Sequence, residues 1–259
     1  KASVRTSDLK SRILSSLPKS LPMVGDQGYT LKDVQRGGID LDTFVAQLDL
    51  TELEAISRGA YIMGHPLGAK GNAGIFGGVT ESLRQKGVPP VTTTDGPSGI
   101  RLYDSCSLIP IGTALASTFD TALVEELCAA LGQEMRDRGS DVLLAPGMNI
   151  HRNPLCGRNF EYFSEDPVVS SEMAIPLVKG LQDHGVGACI KHFAANSQEY
   201  GRMVSDSIVD RRALMELYLL QFMRIIRRSQ PWAVMTSYNK LNGTYCAENG
   251  WLMNETARD

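Results

Sequence analysis

The chain has 259 residues, 42% of them apolar and 21% charged, which is material for a buried core and excludes intrinsic disorder. A net charge of -3, with the 26 Lys and Arg scattered along the chain, leaves no basic footprint for nucleic acid or an anionic membrane; a neutral substrate fits better. Cys106, Cys128, Cys156, Cys189 and Cys246 are odd in number and lack metal-ligand or redox spacing, so they read as small buried side chains rather than a disulfide framework.

Lys1 to about Gly38 mixes Ser, Lys, Pro and Gly with little periodicity and reads as an N-terminal arm or linker (1–38) before a domain spanning 39–259. No basic-then-apolar leader opens it, and no run approaches the roughly 18 apolar residues of a membrane span. A cytoplasmic location is favoured, with secretion left open because the chain begins at Lys1. From Asp40, Leu41, Phe44, Val45 and Leu48, followed by Leu50, Leu53 and Ile56, have helical spacing, predicting one or two helices that end near Gly59. The Gly-rich stretch from Gly64 to Gly78 is expected to be a loop.

Short apolar runs then alternate with long amphipathic ones. Strands are predicted over Val88 to Thr94, Asp141 to Pro146, Val186 to Phe193 and Trp232 to Tyr238. Helices are predicted over Asp120 to Arg138, Pro167 to His184 and Asp210 to Arg228. This βαβ repetition specifies an α/β fold with parallel strands, a (β/α)8 TIM-like barrel or a doubly wound sheet. Asp95, the Pro146 to Asn149 turn, Lys191-His192 and Ser237-Tyr238-Asn239 all fall at C-terminal strand ends. In a barrel those ends converge on one mouth, so the barrel is favoured.

Four clusters could carry chemistry. Asp95, at a strand end broken by Gly96-Pro97, could accept hydrogen bonds from two adjacent hydroxyls, or cap its own turn. Arg158 could donate a fork of hydrogen bonds, with Glu161 holding its guanidinium. Glu165 and Asp166 suit the N-terminus of the helix that Pro167 opens. Lys191 and His192 are adjacent on a strand, and an ordinary strand points neighbours to opposite faces. Either one of them is structural or the backbone is distorted there. Met235 and Tyr238 could form an apolar wall bearing a phenol, although such residues more often simply pack.

Taken in order, the stretches TTTDGPSGIR, LLAPGMNIHRNPLCGRNFEYFSEDP, IKHFAANSQEYGR and VMTSYNKLNG, between about Gly87 and Trp251, resemble the barrel domain of glycoside hydrolase family 3, in its β-glucosidase branch. The resemblance implies a barrel left incomplete at the C-terminus of this chain. It also implies that Asp95, Arg158, Lys191, His192, Met235 and Tyr238 bind or line the sugar in subsite −1, supported by Glu161 and Arg202. Ala194-Ala195-Asn196 stands where the family's N-acetylglucosaminidases have Pro-Gly-His, so a glucosidase or xylosidase preference is expected. The segment Tyr29 to Gly59 resembles the lead-in of circularly permuted members, in which an α/β sandwich precedes the barrel.

The expected reaction is retaining hydrolysis of terminal β-D-glucosyl residues from small β-glucosides or oligosaccharides, with no cofactor and no metal. The family's nucleophile is an Asp in a later strand, and its acid/base is a Glu outside the barrel. Neither is identified in this chain, and Asp259 is a poor substitute, so no catalytic residue is assigned. The chain's partner would be the remaining enzyme segment or sandwich domain, and self-association is left open. One alternative is a non-catalytic sugar-binding module. Another, a metal-dependent hydrolase built on His65, His151 and His192, lacks ligand spacing.

Overall fold

The computed structural model describes residues 9–15, 17, 21–60 and 62–257, so Asp259 lies outside the described residues. These residues form two compact units. The first lies within Ser7–Thr94 with Leu102–Asp104, and the second comprises Asp95–Arg101 and the described residues from Ser105 onward.

In the first unit the helices are α1 (Leu9–Ser15), α2 (Leu31–Gln35), α3 (Leu41–Ala46), α4 (Leu50–Arg58) and α5 (Glu81–Gln85). Asp40 and Asp49 cap α3 and α4, each accepting a hydrogen bond from the backbone N–H three residues on. Phe44, Leu48, Ala55 and Leu83 are buried together, and Tyr29, Leu31 and Val34, within the stretch expected as an arm, pack against them. Glu52, buried, is held by Lys86 at 2.8 Å, and Lys86 also reaches Asp26 at 3.0 Å. The Gly-rich stretch is not all loop. Strand β1 (Gly74–Gly77) pairs antiparallel with β2 (Pro90–Asp95), from Gly74 opposite Thr93 to Gly77 opposite Pro90. Two apolar residues between glycines are too short a run to announce a strand.

The second unit has the expected α/β alternation. Helices α6 (Gly112–Ser117) and α7 (Thr121–Asp137) lead to β3 (Val142–Leu144), and α8 (Pro167–Gln182) leads to β4 (Gly187–Phe193). Next come β5 (Asp206–Ser207), α9 (Arg211–Ala213), a π-helical turn at Leu214–Tyr218 and α10 (Leu220–Ser229), which leads to β6 (Ala233–Thr236). Strand β4 lies parallel between β3 and β6 and is buried along its whole length, which is why its sequence is an unbroken apolar run up to Lys191. A second small sheet joins β5, β7 (Lys240–Leu241) and β8 (Thr244–Tyr245).

Asp166 caps α8, its side chain accepting from the Val168 and Val169 N–H groups, with Pro167 in the first turn. Packing fixes α8 against α7 closely enough that a Cβ on Gly180 would stand 2.6 Å from the Glu125 carbonyl oxygen. Leu177, Val178 and Leu181 on α8 and Val186 and Ile190 leading into and along β4 are buried, each fully buried aliphatic side chain contributing about 1.5–3 kcal/mol. All five cysteines are free, and only Cys106 is not buried. Among the described residues no helix is long and apolar enough to cross a membrane.

Candidate functional site

The site is built from strand ends of the second unit. After Asp95 the chain turns at Gly96, whose φ is +146° and whose Cβ position would lie 1.6 Å from the Gly99 carbonyl oxygen, so only glycine fits. Closing the turn, the Arg101 N–H donates to the Asp95 carbonyl at 3.0 Å. Asp95 Oδ1 then receives Lys191 Nζ at 3.0 Å, and Oδ2 faces Arg101 at 3.4 Å. Burial works to raise the Asp95 pKa, but the Lys191 charge and hydrogen bond, Arg101 and the Gly96 N–H together hold it below its ordinary value. The carboxylate is therefore ionised and aimed, and its side chain is still 38% exposed while Lys191 is almost wholly buried.

Arg158 and Glu161 flank the short 3-10 turn Asn159–Glu161, with Nη2 and Oε1 2.5 Å apart. That turn is pinned from two sides. Thr113 Oγ1 donates to the Asn159 and Tyr162 carbonyls at 3.1 and 3.0 Å, and His151 Nε2 reaches the same two oxygens at 2.8 and 3.1 Å. Burial raises the Glu161 pKa, and the Arg158 and Lys191 charges offset only part of that.

The backbone departs from a regular strand where Lys191 and His192 adjoin. Both the Lys191–His192 and Phe193–Ala194 peptides are cis, and the pairing of β4 with β6 shifts register between Lys191 and Phe193. Both side chains are buried. Desolvation, reinforced by the Arg158, Lys191 and Arg202 charges, pushes the His192 pKa down to about 2, so its ring is neutral. Asn149 and Tyr162 flank that ring, and the Tyr162 hydroxyl is bonded in turn by Asn196 Nδ2 at 3.1 Å. Asn196 Nδ2 also reaches Glu199 at 2.9 Å, and Glu199 pairs with Arg202 at 3.2 Å. The Arg202 guanidinium stands 5.0 Å from the centroid of the Tyr238 ring, a cation–π distance. Met235 faces Lys191 in the β4–β6 register, and Tyr238 is half exposed.

Ion pairs, strand register and a cation–π contact thus tie Asp95 to Lys191, Lys191 to Met235, Arg158 to Glu161 and Arg202 to Tyr238. Tyr162, Asn196 and Glu199 enter the same network without having been singled out by the sequence, although all three lie within the quoted stretches, and Asn149 was marked there only as part of the Pro146 to Asn149 turn. Among the described residues no group of three or more His, Cys, Asp or Glu could hold a metal ion. His151 is spent on backbone carbonyls, and His65 Nδ1 accepts from the Leu67 N–H within its own loop.

Residues 73–259 match the glycosyl hydrolase family 3 N terminal domain. The chain is 46% identical to a β-glucosidase of Ruminococcus albus over 93% of its length, but covers 25% of that protein. It superposes on the structure of a β-glucosidase from Paenibacillus barengoltzii with a TM-score of 0.91 and 45% identity, over 98% of this chain and 28% of that one. β-Glucosidase 3B from Thermotoga neapolitana in complex with glucose gives a TM-score of 0.76 at 46% identity, over 84% of this chain and 32% of that one. The chain spans about a quarter of the length of the curated relatives it matches. Over most of its length, and with its charged strand ends inside the matched region, this chain belongs to glycosyl hydrolase family 3.

Proposed function

We propose that this chain supplies the sugar-binding part of a β-glucosidase, holding a terminal β-D-glucosyl residue in subsite −1 for retaining hydrolysis. The observation that carries the reading is the Asp95–Lys191 pair, a half-exposed carboxylate oriented by a buried ammonium. A carboxylate so held accepts from sugar hydroxyls while the ammonium donates to their oxygens, giving charge-assisted bonds to a neutral ligand. Arg158, braced by Glu161, adds a planar donor, and Met235 and Tyr238 add an apolar wall.

Asp95, Lys191, His192 and Asn149 stand at or just past the C-terminal ends of β2, β4 and β3, and Met235 and Tyr238 belong to the end of β6. That placement supports a (β/α)8 barrel whose mouth is the site. Asp95 and Glu161 are already committed to cations, which favours a binding role for them. The nucleophile Asp and acid/base Glu of a retaining mechanism are then contributed by parts of the whole protein outside this segment, including an α/β sandwich domain. The relatives named β-glucosidase, one of them solved with glucose, point to small β-glucosides or oligosaccharides as the ligands.

The test is hydrolysis of an aryl β-glucoside by the full-length protein, with NMR of the first-formed sugar. Release of the β-anomer supports the reading; release of the α-anomer, or glucose binding without turnover, sinks it.

A further inference from the structure

His192 is gripped through its backbone by Asn149, whose Oδ1 accepts the His192 N–H at 2.9 Å and whose Nδ2 donates to the His192 carbonyl at 2.9 Å. The ring's Nδ1 has two polar neighbours, the Tyr162 hydroxyl at 3.2 Å and Asn149 Oδ1 at 3.4 Å. These neighbours ask opposite things of the ring. Asn149 Oδ1 can only accept, so it would need the ring proton on Nδ1, whereas a phenol can give its own proton to a bare Nδ1.

The hydrogen-bond inventory separates the two. Asn149 Oδ1 already receives the shorter bond from the backbone N–H, which leaves it, at 3.4 Å, the longer and weaker of the two contacts to the ring nitrogen. The Tyr162 oxygen already accepts from Asn196 Nδ2, so its own proton is what remains to be placed. That proton has two acceptors within reach, His192 Nδ1 at 3.2 Å and the Asn196 carbonyl at 3.4 Å. Tyr162 is completely buried, which keeps its phenol protonated and a donor. Among the described residues Nε2 of His192 makes no hydrogen bond, and the Arg158, Lys191 and Arg202 charges act on the ring.

We propose that the Tyr162 hydroxyl donates to Nδ1 of His192 and fixes the ring with its proton on Nε2, which makes Tyr162 a positioning residue and His192 a hydrogen-bond donor to a bound ligand. On the β-glucosidase reading, the acceptor is a sugar hydroxyl oxygen; that part rests on the proposed function, and the tautomer does not. The fully buried Asn196 and Tyr162 then act on the ligand only through the ring they orient.

Two measurements on the full-length protein separate these parts. The first is solid-state 15N NMR with ring-labelled histidine, the His192 signals being identified by their loss in His192→Asn. The second is kcat/KM on an aryl β-glucoside. Wild-type His192 is expected to show a protonated Nε2 and a bare Nδ1. Tyr162→Phe should move the proton to Nδ1, toward Asn149, and lower kcat/KM about tenfold, and the drop should vanish in a His192→Asn background. A wild-type ring protonated on Nδ1 overturns the inference, and so does a Tyr162→Phe drop that persists undiminished beside His192→Asn. The stated tautomer without turnover of any β-glucoside supports the inference and overturns the β-glucosidase reading instead.

Discussion

Lys191 and Asp95, 96 residues apart in sequence, meet at 3.0 Å with the ammonium almost wholly buried and the carboxylate reaching solvent. Because the Asp95 pKa is lowered in the folded chain, the pair's contribution to stability is present above the ordinary value of 3.8 and is lost as pH falls through the folded value. Asp95→Asn should therefore flatten the loss of thermal stability below about pH 3.8, as read by calorimetry across an acid series. Lys191→Met should cost about 1–3 kcal/mol in urea denaturation at neutral pH, since a partly desolvated carboxylate loses its principal cation.

Arg158 neutralises a carboxylate that burial already pushes up. A carboxyl with a raised folded pKa favours the folded chain below its ordinary value, and that advantage is lost as pH rises through the folded value. Removing Arg158 enlarges this effect, so Arg158→Ala should lower the melting temperature more at pH 8 than at pH 5. Adding Glu161→Gln should abolish the difference. On an aryl β-glucoside, kcat/KM of Arg158→Ala should fall about 10- to 150-fold, the worth of one charge-assisted hydrogen bond.

The start of α6 is pressed onto the arginine-bearing turn: a Cβ on Gly112 would lie 2.3 Å from the Glu161 carbonyl oxygen and 2.8 Å from its carbon. Gly112→Ala must displace that turn, costing about 1–3 kcal/mol by overpacking and lowering turnover although residue 112 touches no ligand. Crystallography of the variant would show the Arg158–Glu161 turn moved away from α6.

Asp166 gives the matching control. Its carboxylate is spent on the Val168 and Val169 N–H groups at the start of α8, so Asp166→Ala should cost about 1 kcal/mol of stability in a denaturant titration while KM on an aryl β-glucoside stays unchanged.

The elements of the second unit were legible because each has one dominant signal. A buried parallel strand such as β4 is a run of apolar residues, and α8 opens with Asp166-Pro167. The breaks in pattern were less legible. Strand β1 has only Ile75 and Phe76 between glycines, and the helix expected from Asp210 to Arg228 is interrupted by a π turn at Leu214–Tyr218, whose extra residue moves burial from Leu214 to Leu219 while exposed Leu217 keeps an unbroken helical pattern in the sequence.

At the site, charged residues at strand ends stood out by their position alone. The ring setting of His192 did not, because it depends on Asn149, Tyr162 and Asn196 converging from three separate segments. That Lys191 and His192 are both buried was foreseeable only as one of two readings. Distortion of β4 between Lys191 and Phe193 is the one the structure has, and no residue type in that stretch requires it.

Every carboxylate of the cluster carries its own cation: Asp95 with Lys191, Glu161 with Arg158, Glu199 with Arg202. The three pairs cancel and Arg101, 3.4 Å from Asp95, adds a single positive charge, so an uncharged guest entering among them finds strong local dipoles but little net field to neutralise. Its affinity should then be nearly indifferent to ionic strength, because few counterions are displaced when it binds, while a charged glycoside would gain little from long-range attraction.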